Sequence, residues 1–148
     1  MKYFFKLLCI ILIIGLTFSC SEEGPHKNNI LKFSAVINNK SENPASASTA
    51  QGRALFEYNK STQELKYNIN YQNIAPTAVT INIDASAPRI VYGLTINPAG
   101  NQALGTISNV TEGDQAALIN GQMYVNITST IYPAGEIRGQ IVLNDSKY

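Results

Sequence analysis

The chain has 148 residues, with eleven basic and ten acidic side chains, one histidine and two cysteines. That length builds one domain with a real hydrophobic core and falls short of two. The near balance of charge, without an Arg-rich run or an acidic tail, argues against nucleic acid as a partner.

Three zones open the chain. Residues 1–6 carry the cations Lys2 and Lys6, which favour the cytoplasmic side of a membrane. Residues 7–18 (LLCIILIIGLTF) are uncharged and apolar. Such a run matches the core of a signal peptide and is shorter than the roughly 20 residues of a spanning helix. Ser19 supplies a small residue before a cut, and Cys20 follows it. The segment Leu16-Thr17-Phe18-Ser19-Cys20 resembles the lipobox of bacterial lipoproteins, with Thr17 where Leu is usual. The resemblance implies cleavage before Cys20, a thioether-linked diacylglycerol on its sulfur, and an acyl chain such as palmitate on the new amino terminus.

An ordinary secretory signal is the alternative, and cysteine usage speaks against it. Cys9 leaves with the signal, so Cys20 is the sole cysteine of the mature chain and no internal disulfide forms. A lone thiol in an oxidising compartment is a liability, whereas a lipidated one is not. Ser21-Glu22-Glu23 directly behind it resembles the surface-export signal of lipoproteins in some Gram-negative bacteria. The expected organisation is a removed signal peptide over 1–19, a lipidated polar tether over 20–29 and a domain over 30–148. The expected location is the cell envelope, as an outer-membrane lipoprotein that the acidic run would direct to the surface, with the lipid bilayer as its first partner.

From Ile30 onward the hydrophobic period is two. Leu31, Phe33, Ala35 and Ile37 alternate with polar neighbours, as do Leu65, Tyr67, Ile69 and Tyr71. The same alternation runs through Met123, Val125 and Ile127, and through Ile137, Ile141 and Leu143. Each segment reads as a half-buried strand, apolar inward and polar outward. Weaker strands fit 52–58, 79–83, 90–94 and 105–110, with turn signals such as Asn97-Pro98-Ala99-Gly100-Asn101 and Tyr132-Pro133-Ala134-Gly135 between them. Residues 41–51 (SENPASASTAQ) form a long polar loop, and only 114–119 (DQAALI) reads as helix. The expected fold is all-β: an antiparallel β-sandwich of seven to eight strands, immunoglobulin-like or a Cu/Zn superoxide dismutase-like Greek key, with at most one short helix.

Several segments in this order resemble one family. They are Leu31-Lys32-Phe33-Ser34-Ala35, a loop holding Glu42-Asn43-Pro44, Ala50-Gln51-Gly52-Arg53-Ala54 and Leu65-Lys66-Tyr67-Asn68-Ile69. Gly121-Gln122-Met123-Tyr124-Val125-Asn126-Ile127 and the closing Tyr132-Pro133-Ala134-Gly135-Glu136-Ile137-Arg138-Gly139-Gln140-Ile141 complete the set. Together they resemble the CHRD domain, a module named from chordin and common as a bacterial secreted protein or lipoprotein. The resemblance implies an all-β sandwich and no established catalytic activity. Family members typically carry a His-x-His pair and a third histidine, an arrangement that invites metal ligation. Aligned on this chain, those positions fall on Asn82, Asp84 and Thr128, so no metal and no cofactor beyond the lipid on Cys20 is expected.

The remaining residues speak for binding more than for catalysis. The single histidine, His26, lies in the tether, so no Ser-His-Asp set exists and no catalytic residue is expected. Carboxylates for glycoside hydrolysis can be gathered from Glu57, Glu64, Asp84 and Glu136, without a supporting motif. Glu136 and Arg138 stand two apart on one strand and share a face. They form either a small polar recognition spot or a charge pair that sets register, with Gly139 admitting a close neighbour. Tyr58, Tyr67, Tyr71, Tyr92, Tyr124 and Tyr132 offer an aromatic binding face, although Tyr67 and Tyr71 share the parity of core residues. The expected function is that of a non-enzymatic envelope module, structural or binding a protein or glycan. A metal-dependent redox protein of dismutase-like descent, or a carbohydrate-active protein, is the alternative.

Overall fold

The computed structural model describes residues 29–85, 89–97 and 101–144. Cys20, Ser21, Glu22 and Glu23 lie outside them. The elements run β1 (Ile30–Asn38), a 3-10 turn (Asn39–Ser41), β2 (Gln51–Asn59), β3 (Glu64–Gln72), β4 (Pro76–Ile83) and β5 (Arg89–Gly93). There follow β6 (Ile96–Asn97), β7 (Gln102–Ile107), α1 (Glu112–Ile119), β8 (Met123–Ser129), β9 (Ile137–Gln140) and β10 (Val142–Leu143).

All strand pairings are antiparallel, and the strands form one curled sheet in the order β5-β4-β8-β9-β1-β2-β3-β7-β6. The half built from β1, β2, β3 and β7 and the half built from β4, β5 and β8 bury their inner residues in one core. Alternation dictates which residues those are. Phe33, Ala35 and Ile37 of β1 are buried, as are Leu65, Tyr67, Ile69 and Tyr71 of β3 and Met123, Val125 and Ile127 of β8. Phe33, Phe56 and Tyr67 stand opposite one another across three strands, an aromatic row at the centre of the core. Tyr67 then folds over its cross-strand neighbour Gly105, whose missing side chain makes the room, and its hydroxyl accepts the Thr95 N–H at 3.2 Å.

The all-β antiparallel reading holds, but among the described residues the strands number ten, not seven or eight. The two-residue β6 pairs with β7 at the sheet edge, and the last strand is interrupted at Ile141, giving β9 and β10. That interruption has a topological use. β9 pairs with β8 over Ile137–Gln140, while β10 pairs with β1 through Phe33 and Ser34. The closing strand thus crosses from one half of the curled sheet to the other. The strand expected at 105–110 lies at Gln102–Ile107 instead, because Ala103 is the residue that fills the core opposite Ile69.

The helix expected over 114–119 starts two residues earlier, at Glu112. Thr111 caps it: its hydroxyl accepts the Asp114 N–H at 3.1 Å and donates to the Asp114 carboxylate at 2.9 Å. Asp114 also accepts the Tyr92 hydroxyl at 2.8 Å. Burial, and then this anion, push the Tyr92 phenol well above the usual tyrosine range, so it stays a donor. Among the described residues no helix is long and apolar enough to cross a membrane.

Candidate functional site

The outer face of β8 breaks the rule that built the rest of the sheet. Parity directs Tyr124, Asn126 and Thr128 to solvent, yet Tyr124 and Asn126 are buried. On β4 the outward residues Thr80 and Asn82 are buried too. Register brings these residues together: Thr80 faces Asn126, Asn82 faces Tyr124, and Arg138 of β9 faces Asn126 from the other side. The polar face borders a groove of about 700 Å³, walled further by Asp84 and by two loop segments, Glu42 with Asn43 and Pro133 with Ala134. A volume in that range suits a small ligand or the tip of a larger one.

Polar groups on this floor are tied to each other in sequence. The Arg138 guanidinium lies 3.4 Å from the centre of the Tyr124 ring, and its Nη2 meets the Asp84 carboxylate at 2.9 Å. Tyr124 in turn accepts the Asn82 amide at 3.3 Å. Asn126 donates its amide to the Ala134 carbonyl at 3.1 Å, which fixes the orientation of the side chain. Thr80 donates to the Asn126 carbonyl at 3.4 Å, and the Thr128 hydroxyl stands 3.0 Å from that of Thr77.

The loop over 42–50 closes one side. Asn39 Nδ2 donates to the Ser46 carbonyl at 2.9 Å, tying the middle of the loop back to the end of β1. Ser46 Oγ donates to the Glu136 carbonyl at 2.6 Å, and Ser48 Oγ donates to the Glu136 carboxylate at 2.5 Å. These bonds join residues some ninety positions apart. They hold the loop against the Pro133–Glu136 corner, and so over the outer face of β8.

The three positions aligned with the family's histidines, Asn82, Asp84 and Thr128, do come together on this groove. Their donor set does not suit a transition metal. Asn82 offers an amide, Thr128 a hydroxyl engaged with Thr77, and Asp84 a carboxylate already held by Arg138. Among the described residues no group of three or more His, Cys, Asp or Glu side chains converges.

Glu136 and Arg138 have separate partners. Arg138 serves the groove through Tyr124 and Asp84, whereas Glu136 is buried under Ser48. The charge pair between the two is not the arrangement found. Gly139 does admit a close neighbour: a Cβ there would stand 2.6 Å from the Val36 carbonyl oxygen. Glu57 and Glu64 lie on β2 and β3 and engage Lys32 and Thr62, so neither wall residue of the groove is among them. The six tyrosines form no common face, since Tyr58, Tyr67 and Tyr71 belong to the core. Glu42, Tyr124 and Asn126, by contrast, are site residues that strand parity alone left undistinguished.

Replacing Arg138 by methionine removes the stacking on Tyr124 and the bond to Asp84 while keeping much of the buried stem. The Asp84 side chain is half exposed, so its charge is screened and the ion pair itself contributes little. The expected loss is about 1–2 kcal/mol in urea unfolding, most of it from the stacked guanidinium. Arg138→Lys should recover little, because an ammonium lacks the planar face that lies on the ring.

Fold and groove together define an all-β, curled antiparallel module with a polar, loop-covered cleft on its outer face. The CHRD domain family model matches residues 33–141, and the chain belongs to that family. No curated protein and no solved structure matches it.

Proposed function

We propose that this protein is a membrane-anchored envelope lipoprotein whose CHRD domain acts as a non-enzymatic binding module, with the groove over β4, β8 and β9 as its ligand site. The observation that carries the reading is the burial of Asn82 and Asn126 on the outer sheet face, each with a side-chain oxygen that has no hydrogen-bond partner. Buried acceptors cost about 1–3 kcal/mol each when left unmade. A site that keeps such groups at the wall of a cleft is arranged to receive donors from outside. A protein loop or a glycan hydroxyl supplies such donors, and the near-neutral chain calls for no strongly charged partner. The anchor at Cys20 and the tether behind it would hold the module at the membrane surface, and Ser21-Glu22-Glu23 would direct it outward.

Thr128→Arg tests this reading by filling the groove from a half-buried position. Glycan arrays and pull-downs with the wild-type protein should give a partner whose capture falls at least tenfold in the variant. The absence of any partner for the wild type, or equal capture by both proteins, would defeat it. The alternative, a metal-dependent redox protein, predicts stoichiometric copper or zinc in the purified chain, which elemental analysis reads directly.

A further inference from the structure

One point in the groove wall gathers acceptors without donors. The Glu42 Oε2 and Asn126 Oδ1 atoms stand 2.5 and 2.9 Å from the place that a Cβ on Gly135 would occupy. Neither oxygen has a hydrogen-bond partner. Asn126 is only 7% exposed, and its amide cannot reverse without setting its oxygen against the Ala134 carbonyl. The second Glu42 oxygen already accepts the Asn43 N–H at 3.1 Å. A third unpaired oxygen, Asn82 Oδ1, lines the same groove, its own amide committed to Tyr124.

Two acceptor-only oxygens cannot satisfy each other. Among the described residues lining the groove, Arg138 is the one cation, and it is engaged by Asp84 and Tyr124. The Glu42 charge therefore has no counter-ion on the groove wall. The donor set is one carboxylate and amide carbonyl oxygens, with neither imidazole nor thiolate. Hard divalent cations take such ligands, at six to eight positions for calcium, with water or ligand oxygens filling the remainder. Because Gly135 has no side chain, the Glu42 carboxylate packs against its backbone beside the Asn126 oxygen, and a Cβ there would collide with both.

We propose that Glu42 and Asn126, facing each other over Gly135, bind a calcium-class divalent cation, with Asn82 as an outer oxygen ligand. The cation would take the Asn126 and Asn82 oxygens that the ligand reading assigns to outside donors, so the two readings share these atoms. Calcium is tested with no protein or glycan present, so its failure is distinct from a failure of ligand capture.

The test uses the full chain purified in detergent, with calcium chloride as the probe. Thermal unfolding should rise with calcium relative to EDTA, and titration calorimetry should give one site per chain. Glu42→Gln keeps the shape but removes the charge, and its new amide can donate to Asn126 Oδ1. That variant should lose calcium affinity at least tenfold while unfolding in EDTA at a temperature equal to or above the wild type. Glu57→Gln, on the opposite half of the sheet, should respond to calcium as the wild type does. Three results would each overturn the proposal: no calcium response up to about 10 mM, weaker than the range of extracellular calcium modules; an undiminished response in Glu42→Gln; or the same loss in Glu57→Gln.

Discussion

Gly139→Ala is expected to lower the stability of the domain by about 2–3 kcal/mol, a fall of roughly 8–15 °C in the unfolding midpoint for a domain of this size. Gly139 lies on β9 opposite Val125 of β8, at the place where the closing strand passes close to β1. A Cβ there would stand 2.6 Å from the Val36 oxygen, 2.8 Å from Ile37 Cγ1 and 3.0 Å from the Val36 carbonyl carbon. Two of these atoms are backbone, and Ile37 is fully buried, so no flexible side chain can swing aside. Relief requires β9 to move from β1, loosening the seam that joins the two halves of the sheet. Gly93→Ala is the control, since a Cβ there meets nothing within 4 Å. Urea or thermal unfolding of the two variants side by side decides the matter. Equal midpoints would mean that the seam tolerates more separation than its contacts suggest.

Cys20→Ser is expected to abolish lipid labelling outright and leave the fold unchanged. The serine hydroxyl cannot replace the thiolate that forms the thioether, and the lipid-dependent cut before residue 20 then fails. Acyl chains contribute about 0.8 kcal/mol per buried methylene, and two or more are needed for lasting attachment, so partial retention through the tether is not expected. Metabolic labelling with palmitate should fall to background, and the chain should run at precursor size. Cys20 lies outside the family match at 33–141, so the domain's unfolding midpoint should not move. A wild-type chain that takes up no palmitate and appears soluble at mature size would instead indicate ordinary secretion. Protease shaving of intact cells extends the test to the export signal: Glu22→Ala/Glu23→Ala should be protected where the wild type is cut. Equal protection would remove the surface-display reading.

Much of this architecture was legible from alternation. Leu65, Tyr67, Ile69 and Tyr71 point inward because successive side chains on a strand face opposite sides, and a core exists only on one of them. The helix was legible only over 114–119; its start at Glu112 is set by the Thr111 cap, which the apolar spacing does not record. Strand number was less so. β6 is two residues long, and the break at Ile141 follows from the closing strand changing partners, which no local period records.

The groove divides along the same line. By itself, the sequence determined that Asn82, Tyr124, Asn126, Thr128 and Arg138 lie on the outward faces of their strands, because parity is a local property of extended backbone. It also determined the anchor reading at Cys20, which rests on a linear order of charge, apolar run and cysteine. Only the tertiary structure decided that this outer face is covered. Ser46 and Ser48 bond to Glu136 across some ninety residues, and that closure brings Glu42 beside Asn126 and Gly135. It likewise gave Arg138 to Asp84 and not to Glu136. Parity states which way a side chain points; it carries no information about which distant loop will fold over it. The unpaired oxygens of the groove arise from that second fact, and so does the binding chemistry proposed for them.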